Sequence, residues 1–433
     1  MTIRMDSLIK SITTALDTVE HDILGASTNH GKRIAVLCAK MGKILGKNQN
    51  EVLALASCAM LHDNALTEYI IAELLKGNIE PEFSLRTASY EDVSLAMDDS
   101  PLGQAMKKHC EFGQQNIDAL DFKTGIKGFI LFHHERADGK GPYGMKEGQG
   151  PVEAELIAIA DSVDVTYSLK DIKEDDLQPI RRSIENESGK RHSKAAVKVL
   201  LEILDWPMAL SLKDNVINET ANEILVPWVL DIGDESIFNL AGFITKIIDC
   251  KSIFTMRHST QIANKAWFMA GYYKYSREEQ IKLYLAASLH DLGKLVIPAA
   301  ILEKPGKLTD DEFHIIKDHV YQTWELLKDI DGFQLICDWA SNHHEKLDGK
   351  GYPFGKKADE LDFNSRLMAC LDIYQAVSEE RPYHPARDHK STMQILNEMA
   401  NADALDKAIV NDLSTALAPF DGKDLPVPVF TSA

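Results

Sequence analysis

The residues of this chain best suited to chemistry are ten of its fifteen histidines, arranged in two sets. In the C-terminal half, His258, His290, His319, His343 and His344 accompany the carboxylates Asp291 and Asp372. Asp291 follows His290 directly, inside Leu289-His290-Asp291-Leu292-Gly293-Lys294. In the N-terminal half, His30, His62, Asp63, His109, His133, His134 and Asp161 present the same residue types in the same order. Imidazole nitrogen and carboxylate oxygen, without thiolate, suit iron, manganese or zinc at high coordination number. Five imidazoles and two carboxylates are too many for one ion that also keeps an open position. Each set therefore reads as a pair of metal ions, bridged by the aspartate that directly follows a histidine. A hydroxide held between two such ions is a nucleophile at neutral pH, and the ions also stabilise charge on a phosphoryl group in line with it.

The spacing marks an internal repeat. His30 to His62 and His258 to His290 are each 32 residues, and His109 to His133 and His319 to His343 are each 24. The step from the second histidine of each pair to the last Asp is 27 residues in one half and 28 in the other. Only the step from His62 to His109, 47 residues against 29 for His290 to His319, differs appreciably. The text around the pairs matches as well: His133-His134-Glu135-Arg136-Ala137-Asp138-Gly139 against His343-His344-Glu345-Lys346-Leu347-Asp348-Gly349.

The elements that must position these groups read as helices. Asn48 with Glu51 and Ser276 with Glu279 are capping-box pairs, each 14 residues before the histidine of the His-Asp step. The pattern after Ser276 predicts a buried helix over 277–290 that delivers His290 and Asp291 at its C-terminal end, broken at Gly293 and left behind by Pro298. Thr309 with Glu312 caps a further helix carrying His319. Adjacent helical residues point about 100° apart, so His343 and His344 are expected at a helix end, where both can turn inward. Strand-like alternation is scarce, and the fold class expected is all-α. The basic cluster Arg181, Arg182, Lys190, Arg191, Lys194 and Lys198 reads as a solvated helix face. With Trp206-Pro207 just beyond it, the boundary is placed to give domains 1–208 and 209–433.

Composition narrows the partners. The chain has 433 residues, enough for two domains with full cores, and a formal net charge of −19. That balance argues against binding a DNA or RNA polymer or an anionic membrane. No uninterrupted apolar run reaches spanning length, no signal-peptide pattern opens the chain, and the six cysteines form no C-x-x-C pair. A cytoplasmic location is the expectation; a homodimer is left open.

Taken together, the C-terminal residues resemble the HD-GYP family, the branch of the HD phosphohydrolases that hydrolyses cyclic dinucleotides. The resemblance runs over about residues 245–395 and includes His258-Ser259, the block from Leu289 to Lys294, Ile297-Pro298 and Leu302 to Leu308. It continues through His319, His343-His344-Glu345, Asp348-Gly349-Lys350-Gly351-Tyr352-Pro353, Asp372 and Arg381-Pro382-Tyr383. It implies two tandem HD-type helical bundles. One metal would be held by His258, His290, Asp291 and Asp372, the other by Asp291, His319, His343 and His344. Lys294 would contact the scissile phosphate or protonate the leaving oxygen. Arg381 would contact phosphate, and Lys304 would border the pocket. Phe254 stands where members with a third metal have Glu, so the expectation is a dinuclear centre, of iron first and manganese second. The position three residues after Asp372, an Asp in the family, is Gln375. Glu345 and Asp348 are expected to hold the turn around the histidine pair, and Gly351-Tyr352-Pro353 to shape a turn beside the pocket.

The N-terminal half reads as a degenerate copy. It keeps all seven ligand types, but Leu66 takes the lysine position, Asn64-Ala65 replaces Leu-Gly, and Gly141-Pro142-Tyr143 replaces Gly-Tyr-Pro. Three readings stay open for it: a metal-binding regulatory domain, a structural relic, or a second working site. The function the resemblance implies is hydrolysis of cyclic di-GMP or 3′,3′-cyclic GMP-AMP to a linear 5′-phosphorylated dinucleotide by the bridging hydroxide. The alternatives are a receptor that binds a cyclic dinucleotide without turnover, or a hydrolase of another nucleotide.

Overall fold

The computed structural model describes residues 2–24, 27–66, 101–122, 124–224, 227–231, 234–251, 257–302, 304, 306–380 and 385–428. Among them the chain is helical, with one two-stranded sheet formed by β1 (Thr2–Arg4) and β2 (Val229–Asp231). No helix among the described residues is long and apolar enough to cross a membrane. The chain divides into Met5–Val229 and Leu230–Ala433, and Met1–Arg4 joins the latter through the pairing of β1 with β2.

The division falls at Val229, 21 residues beyond the 208/209 boundary expected from the sequence. Trp206-Pro207, which looked like punctuation, opens a short helix capped by Asp205, whose Oδ1 accepts from Met208 N at 2.8 Å. The residues that follow belong with the N-terminal unit. Lys32 Nζ donates to Asn218 Oδ1 at 2.9 Å, and Arg33 Nη1 to Asp214 Oδ1 at 3.1 Å.

The N-terminal unit is built from α1 (Met5–Leu24), α2 (His30–Ile44), α3 (Gln49–Met60), α4 (Pro101–Asp118), α5 (Val152–Tyr167), α6 (Leu177–Asn186), α7 (Lys194–Ile203), α8 (Trp206–Ser211) and α9 (Ile217–Ile224). Helix α2 is its centre, buried from His30 through Ala39 and packed against α1, α3, α5, α7 and α9. The capping box of Asn48 and Glu51 starts α3. In the basic stretch, α6 buries Leu177, Ile180 and Ile184, while Arg181 Nη1 donates to the carbonyls of Leu201 and Leu204 at the end of α7. That arginine holds a helix terminus; it is not free to recruit an anion.

The C-terminal unit contains α10 (Asp234–Asp249), α11 (His258–Tyr272), α12 (Arg277–Leu289), α13 (Ala299–Leu302), α14 (Asp310–Leu327), α15 (Gln334–Ser341), α16 (Phe363–Ser378), α17 (His389–Asn401) and α18 (Lys407–Ala416). The expected capping boxes of Ser276 with Glu279 and Thr309 with Glu312 are both formed. The C-terminal half of helix α12 is apolar on every face, with Leu283 through Leu289 buried, as a central segment must be, while its first turns carry Arg277, Glu278, Glu279 and Lys282. It packs against α10, α11 and α15. After Asp291 the chain tightens into a 3₁₀ turn over Leu292–Val296 that lies on α14.

Candidate metal centres

In the C-terminal unit five helix termini or faces converge on one buried point. His258 is the first residue of α11, and His290 caps the C-terminal end of α12. His319 lies inside α14, His343 and His344 follow the end of α15, and Asp372 lies on α16. The placement of His343 and His344 at a helix end agrees with the expectation from their adjacency. His258, His290 and Asp372 present ligand atoms within 4.8 Å of one another, as do His319, His343 and His344.

Asp291 stands between these two groups. Its Oδ2 lies 3.2 Å from His290 Nε2 and 3.9 Å from His258 Nε2, while its Oδ1 lies 3.3 Å from His319 Nε2. One carboxylate thus offers an oxygen to each cluster, the arrangement needed to bridge two ions. Lys294 Nζ sits 2.5 Å from Asp291 Oδ2, one turn along the 3₁₀ segment.

The tautomers fit a metal. His290 Nδ1 donates to Ala287 O at 2.8 Å, His319 Nδ1 to Ile316 O at 2.5 Å, and His343 Nδ1 to Ala340 O at 2.6 Å. A carbonyl oxygen can only accept, so each Nδ1 carries the proton and each Nε2 keeps its lone pair. All three Nε2 atoms are buried without a hydrogen-bond partner among the described residues. Orphaned buried acceptors are costly, and three of them around one carboxylate are what a cation would satisfy.

Electrostatics set the same protonation states. Burial pushes His344 down to about 3 and holds His343 well below the ordinary imidazole value, both neutral. Burial alone would raise Asp291 and Asp372, but the cations beside them, Lys294 at Asp291 and His258 at Asp372, hold both well below the usual carboxylate range. His258 is the exception. Burial lowers it, yet the carboxylates of Asp372 and Glu379 outweigh that and lift it to about 9.

The turn after the histidine pair behaves as read from the sequence. Glu345 accepts from Phe354 N, Gly355 N and Lys356 N at 2.7, 3.1 and 3.0 Å, and Asp348 Oδ1 accepts from Lys350 N at 3.0 Å. A Cβ on Gly351 would meet Glu345 Cα at 2.4 Å, so only glycine fits there. Tyr352 lies over His344 with ring centroids 4.8 Å apart. Lys304 Nζ pairs with both carboxylate oxygens of Glu312, at 2.7 and 2.6 Å, at the start of α14. Arg381 and Phe254 lie outside the described residues.

The N-terminal unit gathers the other set in the same way. His30 opens α2, His62 and Asp63 follow α3, His109 lies on α4, His133 and His134 lie in the turn before α5, and Asp161 lies on α5. Asp63 Oδ2 is 3.6 Å from His62 Nε2, and its Oδ1 is 3.1 Å from His109 Nε2 and 3.8 Å from His133 Nε2. His30 Nε2 is 3.3 Å from Asp161 Oδ1. His62 and His133 again donate Nδ1 to carbonyls three residues back, at 3.0 and 2.5 Å, leaving Nε2 orphaned and buried. Cys110 also approaches this cluster, but its Sγ lies 3.8 Å from His133 Nδ1, behind the ring. The lysine position differs as the sequence says: Leu66 is buried at 1% exposure, and Asn64 bonds to Leu61 O and Gly113 O.

Several supporting residues have no counterpart in the sequence reading. Thr323 Oγ1 accepts from Gly293 N and donates to His290 O, both at 2.9 Å, tying the His-Asp turn to α14. Gly293 was expected to break a helix, but its decisive property is close approach. A Cβ there would fall 1.9 Å from His319 O. Asp17 accepts from Gly31 N at 2.8 Å, and Asp249 from Ser259 N at 3.1 Å, each just inside a helix that opens on a histidine. Asp17 lies 13 residues before its histidine and Asp249 nine, so alignment by spacing could not pair them. The partners of His258 and His30, Glu379 and Asp164, also occupy different positions.

The chain is similar to several known proteins. The HD domain family profile matches residues 243–409. A 3′3′-cGAMP-specific phosphodiesterase 1 of Vibrio cholerae is 26% identical over 409 residues, which span 92% of this chain and 88% of that protein. A cyclic di-GMP phosphodiesterase of Pseudomonas aeruginosa is 42% identical over 100 residues, 23% of this chain and 24% of that protein. The crystal structure of a cyclic GMP-AMP specific phosphodiesterase of V. cholerae superimposes with a TM-score of 0.64 at 24% identity, covering 96% of this chain and 98% of that one. HD-domain phosphohydrolases are metal-dependent, and the clusters in both units have the donor set to hold metal. The chain thus carries an HD domain over residues 243–409 and is similar, over most of its length, to a cyclic-dinucleotide phosphodiesterase.

Proposed function

We propose that the chain is a metal-dependent phosphodiesterase that opens one 3′–5′ phosphodiester of a cyclic dinucleotide at its C-terminal centre, releasing a linear 5′-phosphorylated dinucleotide. The observation that carries this reading is Asp291, with one oxygen towards each imidazole group and the Lys294 ammonium beside it. When bound, the metal pair activates water at neutral pH and neutralises charge on the phosphoryl group. His258, His290, Asp291 and Asp372 would hold one ion, and Asp291, His319, His343 and His344 the other. The nitrogen and oxygen donors suit iron first and manganese second. Lys294, 20% exposed while Asp291 is 2% exposed, is the cation at the mouth of the centre. It is placed to neutralise a phosphate oxygen or to protonate the leaving oxygen.

The N-terminal unit has the ligand set but Leu66 in place of that lysine, so we assign it metal binding without turnover. The relatives named for cyclic GMP-AMP and for cyclic di-GMP make these the first and second substrates to test.

The test is product release from both dinucleotides by anaerobic, iron-loaded protein, with Asp291→Ala and Asp63→Ala beside the wild type. Turnover lost in Asp291→Ala and kept in Asp63→Ala is the expected result. Stoichiometric ligand binding with no product in the wild type would replace the enzyme by a receptor.

A further inference from the structure

The two units solve the same problem, holding the first histidine of the set, with different residues. In the N-terminal unit His30 Nδ1 bonds to Asp164 Oδ2 at 2.7 Å, and Arg33 Nε bonds to both oxygens of Asp164 at 2.8 and 3.0 Å. Asp164 lies three residues beyond Asp161. In the C-terminal unit that position is Gln375, which has no charge to offer. Here His258 Nδ1 meets Glu379 at 3.0 and 3.1 Å, seven residues beyond Asp372. Offsets of three and seven fall on one face of a helix, one turn apart.

Gln375 is still engaged. Its Nε2 donates to Glu379 Oε2 at 2.8 Å, and its Oε1 accepts from Lys265 Nζ at 2.5 Å. Lys265 is 1% exposed, and burial pulls it down to about 8. A buried ammonium held on a neutral amide is costly unless the amide passes the charge to something, and the next group along is the Glu379 carboxylate. Arg33 and Lys265 lie three and seven residues after their histidines. Each unit therefore carries a cation on the helix that opens with its histidine and a carboxylate on that histidine's Nδ1.

We infer that Glu379 is the positioning residue of the C-terminal centre, standing in for the carboxylate lost at Gln375, and that the Lys265–Gln375 pair holds it on His258. Its work is to fix the His258 ring with Nε2 towards Asp372, 3.1 Å away, and to strengthen that nitrogen as a ligand. Glu379 touches no reacting atom. The inference rests on the reading of this cluster as a metal centre.

The experiment is manganese titration of metal-free full-length protein, with free ion counted by electron paramagnetic resonance, in an Asp63→Ala background so that binding reports the C-terminal unit. Glu379→Gln is expected to raise the half-saturating manganese about 10- to 100-fold. Adding Gln375→Asp to Glu379→Gln returns a carboxylate to the position Asp164 holds in the other unit, and is expected to recover most of that loss. An unchanged half-saturation in Glu379→Gln, or a double variant as weak as the single, overturns the inference. If Asp63→Ala does not fold, the manganese dependence of turnover in the wild-type background gives the same comparison. A merely structural Glu379 would lower the melting temperature of metal-free protein in both variants and leave half-saturation unmoved. Loss and rescue of manganese affinity without turnover of any cyclic dinucleotide would leave Glu379 its role and remove the phosphodiesterase reading.

Discussion

At the scale of single residues, the centre depends on which atoms have nowhere else to go. Backbone carbonyls take the Nδ1 protons of His290, His319 and His343, so their buried Nε2 atoms keep lone pairs that no protein donor among the described residues satisfies and a cation would. Removing the shared carboxylate with Asp291→Ala should empty the centre; elemental analysis should find about two ions fewer per chain than in the wild type. Lys294→Ala separates binding from chemistry. It should keep its metals and lose about 10²- to 10⁴-fold in kcat, measured as product release at saturating metal. A Lys294→Ala protein with wild-type kcat would remove the lysine from the mechanism.

At the scale of elements, the decisive contact is the His-Asp turn against α14. Thr323 serves a donor and an acceptor of that turn at once. Thr323→Val should leave Gly293 N and His290 O unsatisfied and cost about 1–3 kcal/mol, read as a shift in the urea midpoint. Gly293→Ala is harsher, because the nearest atoms are backbone: His319 O at 1.9 Å and Thr323 N at 2.7 Å. Helix α14 would have to move and take His319 with it. Destabilisation at or above about 3 kcal/mol, with loss of the metal site, is expected from chemical unfolding and metal analysis. A stable, metal-replete Gly293→Ala would show that the turn and α14 are not in this contact.

Across the whole molecule, buried carboxylates couple stability to pH. Burial lifts Asp249 to about 6, above its ordinary 3.8. A carboxyl raised on folding binds its proton more tightly in the native state, so its stabilising contribution is full below pH 4 and is lost as pH rises through 6. The stability of metal-free wild type relative to Asp249→Asn should therefore grow on acidification from pH 7.5 to 4.5, by on the order of 2 kcal/mol. Urea midpoints at the two pH values test this, and a difference independent of pH would mean that Asp249 is ionised throughout. If both units hold metal, the intact chain should carry about four ions, two per unit.

Much of this was written in the sequence by itself, for a physical reason. Candidate metal ligands must offer particular atoms at particular places, so the groups that the structure gathers, His258, His290-Asp291, His319, His343-His344 and Asp372 and their earlier repeat, already stand out in the sequence by type and spacing. Capping is equally local, because Ser276 with Glu279 and Thr309 with Glu312 act within one turn. What only the tertiary structure decided are the contacts that hold those ligands from a distance in the chain. Glu379 reaches His258 across 121 residues, and Thr323 reaches His290 across 33. A hydrogen bond of that kind specifies an acceptor or a donor but no fixed offset, so Asp164 and Glu379 can do one job from two positions. The unit boundary was decided in the same way. Trp206-Pro207 looked like an ending, but Asn218 and Asp214 bond to α2, and the N-terminal unit runs on to Val229.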